Sequence, residues 1–116
     1  MLTTGLLGPH RLSFDGICAA VPRQSPGVYV LGHGDLNGRF CVNHVGRADA
    51  DVAASLRNLI GSDSLFKFGV MPSPRDAFER ECVLFHTFRP PGNRLHPSRS
   101  AGTNWTCPRC RFLTEF

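Results

Sequence analysis

The chain has one lysine, Lys67, against twelve arginines. Its formal net charge of +4 therefore rests on arginine, and a basic surface of that kind suits phosphate contacts. No apolar run approaches the length of a membrane span. No repeat and no low-complexity tract is present. The first residues lack a basic start followed by a continuous apolar stretch, so no secretory signal is expected and the chain reads as soluble and cytoplasmic, with no membrane partner. Cysteine is odd in number. Five thiols in a chain without an export signal favour metal binding over a disulfide framework.

What is present is enough for one folded domain. The 116 residues are 41% hydrophobic and include nine phenylalanines, sufficient to close a core. Residues 1–25 mix Gly, Pro and Ser with short apolar pieces and read as an N-terminal arm, in which residues 12–14 and 16–21 form short strands or turns. Residues 28–31 are rich in β-branched and aromatic side chains and read as a strand. A loop with three glycines joins them to a second, antiparallel strand over residues 39–45. A helix is expected from residue 52 to about 60, capped by Asp49 or Asp51, and a third strand over residues 65–70. The expected fold is α+β: a small three-stranded antiparallel sheet flanked by helices over residues 26–93, with a tail over 94–116 packed on the same domain. Cys18 and Cys41 read as ordinary buried thiols. Trp105 reads as a hydrophobic plug for the tail.

Residues 73–88 carry the strongest local signal. Ser73 can cap a helix, Pro74 sits where its missing N–H costs nothing, and Asp76 places negative charge at the positive end. Ala77, Phe78, Leu84, Phe85 and Phe88 recur at helical spacing. Glu81 falls inside that apolar face, where a lone carboxylate is costly. It is either paired with an arginine or is a metal or active-site carboxylate. Cys82 and His86, four apart, stand one above the other, a spacing that can hold one metal ion.

The tail adds Cys107-Pro-Arg-Cys110, the spacing of a zinc knuckle. Cys82, His86, Cys107 and Cys110 together make a Cys3His set for a structural Zn2+, which would fasten a tail poor in regular structure. His96 is an alternative fourth ligand. Packed thiols or a redox pair are the competing readings of the same cysteines.

Gly27-Val28-Tyr29 on the first strand and His44-Val45-Gly46 on the second resemble the two-part signature of the GIY-YIG nuclease superfamily. Arg47, the helix opening at Asp51-Val52 and the later carboxylate helix fit the same pattern over roughly residues 25–93. The tail, with His96-Pro97, Gly102-Thr103, Trp105 and the cysteine pair, is similar to that of small bacterial GIY-YIG-like proteins. The resemblance implies hydrolysis of DNA phosphodiester bonds with a divalent cation, Mg2+ or Mn2+, held by Glu81. It assigns proton handling to Tyr29 and His44, phosphate contact to Arg47, and a site role to Asn93.

Three positions depart from that pattern. His44 stands where most members have tyrosine. Ser55 occupies the place of the arginine on the helix after the second motif, and Leu59 that of a nearby histidine. Loss of a transition-state cation typically lowers a rate by about a thousandfold. The alternative to the nuclease is therefore a catalytically degenerate module of the same fold that binds nucleic acid or a protein partner.

Overall fold

A computed structural model describes residues 4–113, with side chains described through Cys110. The outermost residues of the expected arm and tail, 1–3 and 114–116, lie outside the described residues. The element order is β1 (Leu7–Arg11), α1 (Phe14–Ala20), β2 (Gly27–Gly34), β3 (Phe40–Ala48), α2 (Val52–Arg57), β4 (Leu65–Val70), α3 (Pro74–Phe88) and α4 (Pro108–Leu113).

The sheet has four strands rather than three, in the order β1-β4-β2-β3, and every pairing is antiparallel. The additional strand comes from the expected arm. Gly8 and Pro9 hide it in the sequence, because proline argues against a strand that must donate on both sides. β1 is an outer strand, where proline is tolerated. The segment after it is a helix rather than a strand or turn. Ser13 is extended and its hydroxyl accepts the Gly16 N–H at 3.0 Å, which starts α1. Cys18 is exposed on that helix and Cys41 is half-buried, so neither is the buried thiol expected of it.

Strand alternation divides the core in two. Tyr29 and Leu31 of β2 face α1 and α2, where Ile17, Val52, Leu56, Phe66 and Phe68 pack with them. Val28 and Val30 face α3 and meet Val45, Ala77 and Leu84. A third cluster joins α3 to the tail through Phe78, Cys82 and Cys107, with Trp105 and Cys110 against it. Helices thus cover both faces of the sheet.

Asp51, not Asp49, caps α2, accepting from the N–H groups of Ala53 and Ala54. α2 ends at Arg57, before the expected residue 60. The next two N–H groups, of Leu59 and Ile60, turn back to the carbonyls of Leu56 and Arg57 in a tighter winding. α3 begins as its sequence requires. The Ser73 hydroxyl accepts the Asp76 N–H at 3.1 Å and donates to the Asp76 carboxylate at 2.8 Å. It stops at Arg89, which takes the left-handed conformation with φ 43° and leads into Pro90. No helix among the described residues is long and apolar enough to cross a membrane.

Candidate functional site

β3 is the outer strand at the far side of the sheet from β1, and the candidate site wraps its edge. By alternation, His44 and Gly46 face the α2 side, and Val45 and Arg47 face α3. A cleft of about 440 Å³ draws on both sides of the strand. It is lined by Tyr29, His44, Arg47, Asp49, Ser55, Glu81 and Asn93, with the tail residues Pro97 and Ser98 closing one end. Residues from β2, β3, α2, α3 and the tail therefore meet in one place. Four of them, Tyr29, His44, Arg47 and Glu81, are those to which the GIY-YIG resemblance gives proton handling, phosphate contact and cation binding.

Arg47 is the hub. Its Nη1 lies 2.7 Å from Glu81 Oε1 and its Nε 2.9 Å from Asp49 Oδ1. Its Nη2 donates to the Ser100 hydroxyl at 3.3 Å, and its guanidinium carbon lies 5.1 Å from the centroid of the Phe78 ring. Ser100 in turn donates to the second oxygen of Asp49. Glu81 is buried, at 7% exposure. Its position on an apolar helix face is thus explained in part by an ion pair. That pair does not fully offset burial. Desolvation raises the Glu81 carboxyl above its ordinary value, and the hydrogen bond and charge of Arg47 lower it only partway back. Arg47 shows the opposite balance: burial works against its charge, and the bonds to Glu81 and Asp49 outweigh it. For Asp49, burial raises the carboxyl, while Ser100 and Arg47 together bring it below its ordinary value. One guanidinium facing two carboxylates leaves the cleft with an excess of negative charge.

Tyr29 lies opposite Gly46 across the β2–β3 ladder. A Cβ at residue 46 would stand 2.4 Å from the phenol Cζ and oxygen, so the glycine is what lets the ring lie across β3. Burial, with the Glu81 charge behind it, pushes the Tyr29 phenol up to about 12. Near neutrality it holds its proton.

Asn93 is bonded along the edge of β3. Its Oδ1 accepts the Val45 N–H at 2.7 Å and its Nδ2 donates to the Val45 carbonyl at 3.0 Å. Both ends of the amide are used as a substitute strand partner along the free edge of β3. Ser55 does line the cleft, in the place where the resemblance expects an arginine. Leu59 lies elsewhere, in a smaller cavity of about 210 Å³ on the other side of His44.

The tail holds a second constellation. One ligand atom each from His86, His96, Cys107 and Cys110 lies within 4.8 Å of the others. The two imidazole Nε2 atoms are 3.1 Å apart, and Cys110 Sγ stands 3.3 Å from that of His86 and 3.4 Å from that of His96. Tetrahedral ligation at ordinary zinc–nitrogen and zinc–sulfur lengths would separate such atoms by about 3.4 and 3.6 Å. His96 Nδ1 faces the Pro97 carbonyl at 2.7 Å, which fixes the N–H there and frees Nε2 as a donor of its lone pair. Burial and the neighbouring His96 lower the His86 imidazole, favouring its neutral, ligating form. Burial raises the Cys107 thiol, but the Cys110 N–H, 3.4 Å from Cys107 Sγ, helps to lower it below its ordinary value. These four residues can hold a metal ion.

The set differs from the expected one in a single member. His96 takes the place assigned to Cys82, which is fully buried among Phe78 and Cys107 and whose thiol is raised by that burial. Cys82 lies beside Cys107 but is not among the four residues whose ligand atoms lie within 4.8 Å of one another. The His96-Pro97 pair was the available signal, since a loop histidine before proline has its Nδ1 beside a backbone carbonyl. Asp49 and Ser100 are the residues that sequence reasoning missed. The spacing Arg47-x-Asp49 at a strand end was the only hint, because it puts both on one side; Ser100 has no local signal. Comparison with protein-family models, with curated proteins and with solved structures returns no match.

Proposed function

We propose that the β3-edge cleft is the active site of a divalent-metal-dependent DNA endonuclease of GIY-YIG type. The observation that carries this reading is the meeting of Tyr29, His44, Arg47 and Glu81 in one cleft. They come from segments that sequence separates by up to fifty-two positions, and the GIY-YIG resemblance gives each of them a role. Glu81 and Asp49 would hold a Mg2+ or Mn2+ ion, which supplies charge neutralisation at the phosphate. The surplus of negative charge in the cleft favours a cation and would repel a bare phosphate. Arg47, shared between two carboxylates, then contributes hydrogen bonds to a phosphate oxygen once that surplus is cancelled. His44 supplies an imidazole that can accept a proton from the attacking water, and Tyr29 a phenol that holds its own proton and can donate a hydrogen bond. Asn93 keeps the edge of β3 straight behind them.

For the tail, we assign the His2Cys2 set to a structural Zn2+. Two thiolates and two imidazoles are the donor types that suit it, and His96 joins the metal site directly to Pro97 and Ser98 at the end of the cleft.

A second reading has its own observation. The Arg47–Glu81 pair is already complete at 2.7 Å, and Ser55 supplies no positive charge. On that reading the cleft is a degenerate site, and the domain binds nucleic acid or a protein partner without cutting. Nicking of supercoiled plasmid by the zinc-loaded protein separates the two. Cleavage that appears only when Mg2+ or Mn2+ is added supports the endonuclease; plasmid left intact under both ions overturns it.

A further inference from the structure

A larger cavity, of about 710 Å³, adjoins the cleft and shares Pro97 and Ser98 with it. Three of its nine lining residues, His96, Cys107 and Cys110, belong to the metal set, so part of this volume is the metal site and the remainder lies along Phe78, Trp105 and residues 97–99. Phe78 and Trp105 form its aromatic wall, with ring centroids 5.8 Å apart and planes inclined by 38°. Arg99 and Thr106, both exposed, stand around its mouth. Phe78 is covered, at 2% exposure, whereas Trp105 is half-buried and offers part of its indole to the cavity. Trp105 packs against the buried cluster of Phe78, Cys82 and Cys107.

The Phe78 ring is also the partition between the two hollows. The Arg47 guanidinium lies 5.1 Å from its centroid, and Arg47 lines the smaller cleft. A partly exposed indole face beside an arginine-bearing cleft matches one ligand chemistry: an aromatic base attached to a phosphate. An arginine at the mouth adds charge complementarity to the backbone of the same strand. Stacking on an indole face requires a base free of its partner.

We infer that the Trp105 cavity receives an unpaired base of the DNA strand whose phosphate lies in the Arg47 cleft, so that the substrate carries a single-stranded or flipped nucleotide at the site of attack. This inference rests on the nuclease reading for the placement of the phosphate, but its test needs no cleavage.

Trp105 is the one tryptophan in the chain, so intrinsic fluorescence reports this cavity alone. The zinc-loaded protein is titrated, with Ca2+ in place of Mg2+ or Mn2+ so that the charge of the cleft is cancelled, with a short oligothymidylate and with a blunt duplex of equal length. The single strand is expected to quench Trp105 emission and the duplex to leave it unchanged. Anisotropy of a labelled strand is expected to show about a tenfold loss of affinity for Trp105→Leu. Trp105→Phe, which keeps an aromatic face, should retain most of the affinity, and Arg99→Ala should weaken binding in a salt-dependent way. Absence of quenching, or a Trp105→Leu protein with its metal intact and unchanged affinity, overturns the inference. Quenching by a strand that is then not cut in Mg2+ sinks the nuclease reading and leaves the base pocket standing. Cutting of duplex with no quenching does the reverse. Emission that responds to neither DNA would leave the cavity to a protein partner and overturn the proposal.

Discussion

Glu81 Oε1 lies 2.7 Å from Arg47 Nη1, joining the middle of α3 to the end of β3. Side-chain exposure is 12% for Arg47 and 10% for Glu81, so this is a largely desolvated pair. Removing one partner of such a pair leaves the other charged, buried and uncompensated.

Arg47→Met is therefore expected to cost about 3 kcal/mol of unfolding free energy, and less than half as much when Glu81→Gln is already present. Equal costs in both backgrounds, read from denaturant unfolding, would contradict the pairing. The pH dependence has a definite sign. A carboxyl raised on folding contributes stability that is present below its unfolded value and lost as pH rises through its folded value. The stability of Glu81→Gln relative to the parent should therefore improve as pH climbs from below the ordinary value of 4.5 through the folded one.

Tyr29 can be watched alone, since it is the one tyrosine in the chain. Ultraviolet titration of the phenol should give a midpoint near 12 rather than at its ordinary value of 10.0. The group is raised on folding, so its contribution is intact below pH 10 and disappears as pH rises toward 12, a loss of about 2–3 kcal/mol. A midpoint at the ordinary value in a still-folded protein would mean that the ring is not buried against β3.

The fold was legible wherever a local rule and the tertiary context agree. The Ser73-Pro74 start of α3, the β2–β3 hairpin and β4 all follow from periodicity and capping. β1 was not, because Gly8 and Pro9 break the strand pattern and only its place at the sheet edge permits them. The same division holds in the site. Glu81 is conspicuous in sequence as a carboxylate on an apolar face. That Arg47 is its partner is not legible there, since the two lie thirty-four residues apart, and Asp49 and Ser100, which also hold Arg47, lie fifty-one apart. Helix spacing points to Cys82 ahead of His96, and spacing on one helix does not say which stripe faces the metal.

That difference can be tested by metal content. His96→Ala is expected to lose the bound ion, whereas Cys82→Ala should keep one per chain and pay only the cost of a small cavity, about 1 kcal/mol. Loss of the ion from Cys82→Ala with retention in His96→Ala would restore the original set. Chelation of the parent should lower its melting temperature, because the metal site, with the Phe78 cluster and the Ser100 bonds to Arg47 and Asp49, holds the tail to the domain.

Gly46→Ala tests the approach of Tyr29 to β3. The added Cβ would meet the phenol at 2.4 Å, far inside normal contact, and the ring is packed against Leu56 and Val52 behind it. A loss of about 2 kcal/mol is expected, with the Tyr29 titration midpoint falling as the ring is displaced. An unaltered melting temperature and midpoint would show that the ring does not lie over Gly46.

The central claim is that the cleft holds a catalytic cation at Glu81, separate from the metal of the tail. The most direct measurement is nicking of supercoiled plasmid in Mg2+ or Mn2+ by the parent and by Glu81→Ala, with zinc measured on both preparations. The account expects nicking by the parent, none by the variant, and about one zinc per chain in each. Intact plasmid with both proteins, each carrying its zinc, would contradict it and make the domain a binding module.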